Sequence, residues 1–113
     1  MTVAWIFPGQ GSQKIGMANK VASLPNAKNM FNYASEVFNR NLFDICEKTS
    51  SLENISNDLN NTKNTQICLF LVESILLDAL KENGFNPSFC AGHSLGEITA
   101  LYGSDVLSFE DCI

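Results

Sequence analysis

The stretch Gly92-His93-Ser94-Leu95-Gly96 places a serine between two glycines, after a short apolar run and before a helical pattern. This order is typical of a nucleophile elbow, a tight turn that lifts a serine hydroxyl clear of the chain. Backbone N–H groups at the start of the following helix have no partner within the helix, so they can face an oxyanion. Ser94 is therefore the candidate nucleophile of an acyl transfer, with the Leu95 N–H as one oxyanion donor.

A second oxyanion donor has to come from another loop, and Gly9-Gln10-Gly11 is the natural source. This loop follows an apolar run that ends at Pro8, so we expect it at the carboxyl end of a strand, where open α/β sheets form their ligand crevice. A lone Gly-x-Ser-x-Gly pattern also occurs in ordinary tight turns. Its place between a strand-like run and a helix with Glu97 in the first turn favours the functional interpretation.

The chain contains one histidine, His93, directly beside the candidate nucleophile. Consecutive residues on a sharp turn direct their side chains apart, so His93 is not expected to reach the Ser94 hydroxyl as a base. Shaping the substrate pocket or packing the turn is the stronger expectation for His93. No Asp or Glu has a spacing that singles it out as an alternative base.

Two short parallel strands and several helices are expected to position these residues. The fully apolar runs Val3–Phe7 and Phe89–Ala91 are typical of buried strands. Apolar residues at a spacing of three and four predict the helices. The predicted helices are Asn26 to about Asn39 with Asn26 as the cap, Leu42–Glu47, Gln66–Asn83, Leu95–Tyr102 and a short one that begins at Ser108.

The segment Gln66–Asn83 is the most strongly predicted helix, and Gly84 is expected to end it. It should be almost wholly buried, because its polar residues form only a narrow stripe made of Ser74, Asp78, Lys81 and Glu82. Between Ser50 and Asn64 the pattern predicts a short helical turn and then a loop around residues 60–62.

Two strands joined by a long crossover leave both outer edges of a sheet unpaired. The helical pattern that begins at Ser108 also has only a few residues in which to continue, and so short a helix does not stabilise itself. We therefore expect the chain to be the front part of a larger α/β domain.

Composition limits the kinds of partner. The 113 residues carry a net charge of −5 with seven scattered basic residues, which argues against nucleic-acid binding. No apolar run approaches membrane-spanning length and no signal peptide is visible, so a cytoplasmic protein without a membrane partner is expected. Four cysteines with no close pair and one histidine predict free thiols and no metal site.

Residues 7–13 (Phe-Pro-Gly-Gln-Gly-Ser-Gln) and 92–97 (Gly-His-Ser-Leu-Gly-Glu) together resemble the malonyl-CoA:acyl carrier protein transacylases and the related acyltransferase domains of fatty-acid and polyketide synthases. Asn64-Thr65-Gln66 is similar to a third signature of that family, with Ile67 where a proline is usual. The resemblance covers residues 1–113 as the N-terminal part of the large acyltransferase subdomain.

This resemblance implies an incomplete α/β-hydrolase-like acyltransferase core, helix-rich with a short parallel sheet and without the ferredoxin-like subdomain. It implies that malonyl passes from coenzyme A to Ser94 and then to acyl carrier protein. The coenzyme A thioester is a substrate, and no cofactor is implied. The backbone N–H groups of Gln10 and Leu95 would form the oxyanion hole, while Gln66 would line the same crevice, beside the pocket-shaping His93.

The matched motifs include neither the family's catalytic histidine nor the arginine that pairs with the malonyl carboxylate. Arg40 lies outside the motif that carries this arginine. We therefore expect the chain to be inactive alone. An alternative is a non-catalytic fragment that binds or complements a separate polypeptide. An α/β-hydrolase esterase shares the elbow but gives no reason for residues 7–13.

Overall fold

The computed structural model describes residues 2–47 and 58–113. Within these ranges the chain forms two strands and six helices: β1 (Ala4–Phe7), α1 (Met17–Val21), α2 (Ala27–Phe38), α3 (Leu42–Glu47), α4 (Thr62–Glu82), β2 (Phe89–Gly92), α5 (Leu95–Gly103) and α6 (Phe109–Cys112). Both predicted strands and all five predicted helices are present, but the prediction that the strands are buried is wrong: Ile6 of β1 is 75% exposed and Phe89 of β2 is 55% exposed. The five-residue α1 was not predicted, because it is too short to show a period. The helical turn predicted after Ser50 falls mainly on residues 50–57, outside the described residues.

β1 and β2 form a two-stranded parallel sheet in which Ala4 pairs with Phe89 and Phe7 with Gly92. The Val3 carbonyl accepts from the Ser88 N–H at 2.7 Å, and the Phe7 carbonyl accepts from the His93 N–H at 3.1 Å. Backbone groups of alternate residues in a parallel strand point to opposite edges. Since Val3 and Phe7 face β2, the N–H and C=O groups of Ala4 and Ile6 point to the other edge of β1.

α4 is the central helix of the core, and it begins four residues earlier than predicted. Asn61 caps it, because the Asn61 side chain accepts from the Lys63 N–H at 3.2 Å. At the other end Gly84 has φ +85° and the Phe85 N–H donates to the Leu80 carbonyl at 3.0 Å, which is the predicted glycine-ended helix terminus.

In the part of the chain that the structure describes, no helix combines the length and the apolar content needed to cross a membrane.

The predicted polar stripe of α4 is wrong at Ser74, and the prediction of almost complete burial is also wrong. Ser74 is fully buried, because its hydroxyl donates to the Phe70 carbonyl one turn earlier at 2.6 Å and needs no solvent. Leu76 and Leu80 are instead 46% and 43% exposed. One apolar face of α4 is therefore open to solvent.

The cap predicted for α2 is present as a backbone conformation and not as a side-chain bond. Asn26 has φ +64° and its side chain makes no capping hydrogen bond, while its carbonyl accepts from the Met30 N–H at 2.9 Å. Asparagine is one of the few residues other than glycine that tolerate this left-handed region. At α6 the Ser108 hydroxyl accepts from the Asp111 N–H at 3.1 Å, as the sequence predicts.

Aromatic packing ties α5 and α6 to the central helix. The ring of Phe70 on α4 stacks on Phe109 with centroids 5.6 Å apart and meets Tyr102 edge-on at 5.8 Å. The Tyr102 hydroxyl also donates to the Asp78 carboxylate at 2.8 Å. These contacts explain how a helix as short as α6 is held in place, since packing replaces the missing helical length.

The four cysteines are free thiols, with Cys46 and Cys68 buried and Cys90 and Cys112 half-buried. The Cys68 thiol beside Cys46, together with burial, raises the pKa of Cys46 well above its ordinary value. A thiol held in this neutral state is a poor nucleophile. The buried Cys46 thiol is therefore suited to packing and not to nucleophilic chemistry.

Glu73 is a buried carboxyl in the apolar face of α4, and the sequence pattern did not single it out. Its side chain is only 8% exposed, and among the described residues neither its carboxyl oxygens nor the buried Thr99 hydroxyl has a hydrogen-bond partner. Burial raises the pKa of Glu73 to about 7, and the Thr99 side chain beside it opposes part of the rise. The carboxyl is thus held largely protonated in mildly acidic solution.

The raised pKa of Glu73 is expected to make the contribution of this residue to stability fall as the pH rises from acid to neutral. Because its pKa is about 7 in the folded chain against an ordinary 4.5, its contribution is full below pH 4.5 and is lost as the pH rises through 7. Relative to Glu73→Gln, we expect the wild-type free energy of unfolding to drop by about 2 kcal/mol over this interval. Urea denaturation across the interval measures this difference. Glu82→Gln, an exposed change on the same helix, is the control, and parallel profiles for Glu73→Gln and wild type would contradict the assignment.

Candidate active site

Ser94 lies at the start of α5, directly after β2, and its side chain is exposed. Its backbone has φ +56° and ψ −116°, a conformation that a residue with a side chain adopts only under strain. Two backbone hydrogen bonds close the turn: the Gly96 N–H donates to the His93 carbonyl at 3.0 Å, and the Glu97 N–H donates to the Ser94 carbonyl at 3.0 Å. This is the strained strand-to-helix turn that the sequence predicts.

Three glycines allow the turn to pack directly on the end of β1. A Cβ atom at Gly92 would overlap the Gly96 carbonyl, and one at Gly96 would overlap the carbonyl oxygen of Phe7. A Cβ atom at Gly9 would overlap the His93 carbonyl and lie 3.1 Å from the Cβ of Ser94. The loop after β1 and the serine turn are therefore in backbone contact, which only glycine permits.

The loop after β1 is fixed by hydrogen bonds to the head of α4. The Gln10 side-chain amide donates to the Thr62 hydroxyl at 3.1 Å, and the Gln13 amide donates to the Asn60 side-chain oxygen at 3.0 Å. The Ser12 hydroxyl donates back to the Gly9 carbonyl at 2.8 Å. These contacts hold the Gln10 backbone next to the serine turn.

The two predicted oxyanion donors are the backbone N–H groups of Gln10 and Leu95. In the described part of the chain, neither the Gln10 N–H nor the Leu95 N–H donates a hydrogen bond. Gln10 follows the glycine that touches Ser94, and Leu95 follows Ser94 itself. Both residues therefore lie at the same end of the sheet, and neither N–H is used by another acceptor among the described residues.

His93 is exposed and belongs to the turn through its backbone, which donates to Phe7 and accepts from Gly96. Within residues 2–47 and 58–113 its imidazole makes no hydrogen bond, and no side chain is bonded to the Ser94 hydroxyl. The described residues thus place no base on the serine.

Gln66 is exposed on the second turn of α4 and lines a cavity of about 250 Å³. Leu95 and Ile98 of α5 line the same cavity, together with Arg40 and Lys63. Ser94 is not among its lining residues. Gln66 therefore shares a cavity with Leu95, the residue that follows Ser94, and not with the Ser94 side chain.

Asn64 and Thr65, to which sequence reasoning gave no separate role, are buried and fix the segment that leads into α4. The Asn64 amide donates to the Asp58 carbonyl at 3.0 Å and its oxygen accepts from the Arg40 guanidinium. The Thr65 hydroxyl bonds to the Asn61 carbonyl at 3.0 Å. The sequence signal for this supporting role was an Asn-Thr pair in the first turn of a long apolar helix. Two members of the third motif thus support the segment that anchors the Gln10 loop.

The acyl transferase domain family matches residues 4–113. Among curated relatives, the malonyl CoA-acyl carrier protein transacylase of Synechocystis sp. is 41% identical over 109 residues, which make up 96% of this chain and 35% of the relative. The Bacillus subtilis protein of the same name is 38% identical over 112 residues, covering 98% of this chain and 34% of the relative. The chain therefore spans about a third of the length of the curated relatives that it matches.

Solved structures agree with the sequence relatives. The crystal structure of the Synechocystis malonyl-CoA:ACP transacylase superposes with a TM-score of 0.80 at 43% identity, over 91% of this chain and 33% of that one. A malonyl-transacylase in complex with a type II polyketide synthase acyl carrier protein gives 0.84 at 32% identity, over 99% and 35%. The helices and the short parallel sheet are thus a fragment of the acyltransferase fold. The chain belongs to the acyl transferase domain family and corresponds to about the first third of its malonyl-CoA:acyl carrier protein transacylase members.

Proposed function

We propose that this chain supplies the acyl-accepting serine of a malonyl-CoA:acyl carrier protein transacylase. In the first step the Ser94 oxygen attacks the malonyl thioester, a C–O bond forms, the C–S bond breaks, and coenzyme A leaves as the thiol with the serine proton. In the second step the phosphopantetheine thiol of acyl carrier protein attacks the serine ester and regenerates the hydroxyl. The names and the complex of the relatives support both substrates.

One observation carries the proposal: the exposed Ser94 sits in a strained turn, in backbone contact with the loop that holds Gln10. The free N–H groups of Gln10 and Leu95 then stabilise the negative charge that develops on the acyl oxygen in each step. Loss of one such donor costs on the order of a hundredfold in rate. The contact between the two loops is therefore part of the chemistry.

The serine also needs a base, and the malonyl carboxylate needs a cation. Among the described residues none is bonded to the Ser94 hydroxyl, and the guanidinium of Arg40 is bonded to Asn64. We propose that the base and the carboxylate-binding cation come from the part of the acyltransferase domain outside these 113 residues. On this proposal the chain alone does not turn over.

Intact-mass measurement after incubation with malonyl-CoA tests this directly. The 113-residue chain alone is expected to show no stoichiometric malonyl adduct within minutes. A second polypeptide would contain the residues of the Synechocystis relative that lie outside the matched region. Its addition is expected to produce a malonyl adduct on Ser94. Rapid stoichiometric labelling of the chain alone would overturn the proposal that the base is supplied from outside.

A second candidate function is a non-catalytic fragment that binds a separate polypeptide. In the described part of the chain, one edge of β1 has no strand partner and one face of α4 is open, and both features favour this function because both need a covering partner. The two functions differ in one measurement. A mixture that transfers malonyl equally well with wild-type and Ser94→Ala chains supports the non-catalytic fragment, whereas loss of transfer on that substitution supports the transacylase.

A further inference from the structure

Gln10 lies between two glycines, so its own neighbours in the chain restrict its backbone very little. Gly9 lies against the His93 carbonyl, and Gly11 has φ +111°, a conformation that residues with a side chain rarely adopt. A donor that stabilises an oxyanion has to be oriented before the charge develops, because reorientation during the reaction would cost the stabilisation that it provides. Contacts from other residues therefore have to hold this part of the loop.

Residues 9–12 form a tight turn with Gly11 at its third position. The Ser12 N–H donates to the Gly9 carbonyl at 3.3 Å, and the Ser12 hydroxyl donates to the same oxygen at 2.8 Å. A positive φ at the third residue is typical of a type II turn. Because the described peptide bonds are all trans, the Gly9 carbonyl and the Gln10 N–H point in opposite directions. The form of the turn therefore sets the direction of the Gln10 N–H.

The side chain of Gln13 holds this turn with both ends of its amide. Its oxygen accepts from the Gly11 N–H at 2.7 Å, and its nitrogen donates to the Asn60 side-chain oxygen at 3.0 Å. The first bond holds the peptide between Gln10 and Gly11, whose rotation is what separates a type II turn from a type I turn. The second bond ties the turn to the segment that leads into α4. One amide thus fixes both the form and the position of the turn.

The segment at the other end of this bridge is itself held in place. The Asn60 N–H donates to the Asp58 carboxylate at 2.8 Å, and the Asn61 N–H donates to the Asp58 carbonyl at 3.1 Å. The hydroxyl of Thr65, on α4, bonds to the Asn61 carbonyl at 3.0 Å. The Gln13 amide therefore connects the turn to a segment that is fixed on the central helix.

We propose that Gln13 is a positioning residue of the oxyanion hole, which locks the turn of residues 9–12 in the form that presents the Gln10 N–H to the acyl oxygen. This inference rests on the proposed function, and Gln13 acts through the turn without touching the substrate. The bond from the Gln10 side chain to Thr62 does not replace it, because a side-chain bond leaves the peptide planes of the turn free to rotate.

Transfer of malonyl by the mixture of this chain and the unmatched part of the Synechocystis relative tests the role of Gln13. Gln13→Met keeps the side-chain length and removes both hydrogen bonds. It is expected to lower kcat about tenfold with the KM for malonyl-CoA unchanged, because the negative charge develops only during the reaction. Gln13→Glu keeps an oxygen for the Gly11 N–H and should recover most of the loss.

Asn29→Met is the matched control, because it also replaces an amide by a thioether, at an exposed position of α2. It should transfer malonyl with the wild-type kcat. Equal kcat values for Gln13→Met and wild type overturn the proposal, as do equal losses in Gln13→Met and Gln13→Glu. Ser94→Ala run in parallel separates the two levels. If it transfers like wild type, the proposed function fails, whereas an inactive Ser94→Ala beside a fully active Gln13→Met removes only the positioning role.

Amide hydrogen exchange of the 113-residue chain tests the turn without any transfer. Exchange at the Gly11 N–H is expected to be about tenfold faster in Gln13→Met than in wild type, because the bond that protects it is lost. Gln13→Glu and Asn29→Met should exchange Gly11 at close to the wild-type rate. Equal exchange at Gly11 in Gln13→Met and wild type would show that the amide does not hold the turn, and the proposal would be wrong.

Discussion

Transfer of malonyl to acyl carrier protein by the completed domain is expected to fall about 10⁴-fold or more when Ser94 becomes alanine. On the proposed mechanism the Ser94 hydroxyl forms the ester, and the N–H groups of Gln10 and Leu95 would act on an acyl group attached there. Direct attack of the acyl carrier protein thiol on malonyl-CoA would account for the residual rate. A radiolabelled malonyl-CoA assay on the mixture of this chain and the unmatched part of the Synechocystis relative measures the loss.

Ser104→Ala is the matched control, because Ser104 ends the same helix and its exposed hydroxyl bonds only to nearby α5 carbonyls. It should transfer malonyl at the wild-type rate. The Ser94→Ala chain is also expected to bind its partner normally, and calorimetry would measure this binding. A malonyl adduct that persists on the Ser94→Ala chain would refute Ser94 as the acceptor.

The second large effect is on stability: Gly96→Ala is expected to lower the free energy of unfolding by about 4 kcal/mol or more. The added Cβ would overlap the carbonyl oxygen of Phe7 and lie 3.1 Å from that of Pro8. Both neighbours are backbone atoms, so relief requires α5 to move away from β1. Such a loss approaches the whole stability of a small domain, and the variant should be largely unfolded. Urea denaturation followed by circular dichroism measures it.

Gly84→Ala separates this overlap from ordinary glycine strain. Gly84 has φ +85° and an added Cβ would meet no atom within 4 Å, so only backbone strain of about 1 kcal/mol is expected. If Gly96→Ala is no more destabilising than Gly84→Ala, the contact between the serine turn and β1 is looser than the structure shows.

The strands and helices could be predicted because short apolar runs and a spacing of three and four report which faces are buried. The same reasoning failed on α4. Its pattern is that of a helix covered on nearly every side, yet Leu76 and Leu80 are open here. An apolar pattern reflects burial in the whole domain, whereas the described residues 2–47 and 58–113 provide only part of the cover. Ser74 misled for a different reason, since a hydroxyl bonded within its own helix is compatible with full burial.

The site could be predicted in its backbone and less well in its side chains. A Gly-x-Ser-x-Gly stretch after a strand fixes where Ser94 and Leu95 lie, because the turn is local. The bond from Gln10 to Thr62 and the support from Asn64 join segments more than 20 residues apart. No local pattern encodes such pairs. Glu73 was missed likewise, since its altered pKa arises from burial that only the packed helices create.

Among the described residues, the contacts that set the serine turn lie between Phe7 and Glu97. On a ribosome these residues emerge before anything that is translated after them, and none of the contacts waits for a later segment. The hydroxyl can therefore be oriented first, during synthesis. On the proposed function, a base and a cation supplied later, by the same polypeptide or by another, would bind beside a serine hydroxyl that is already oriented.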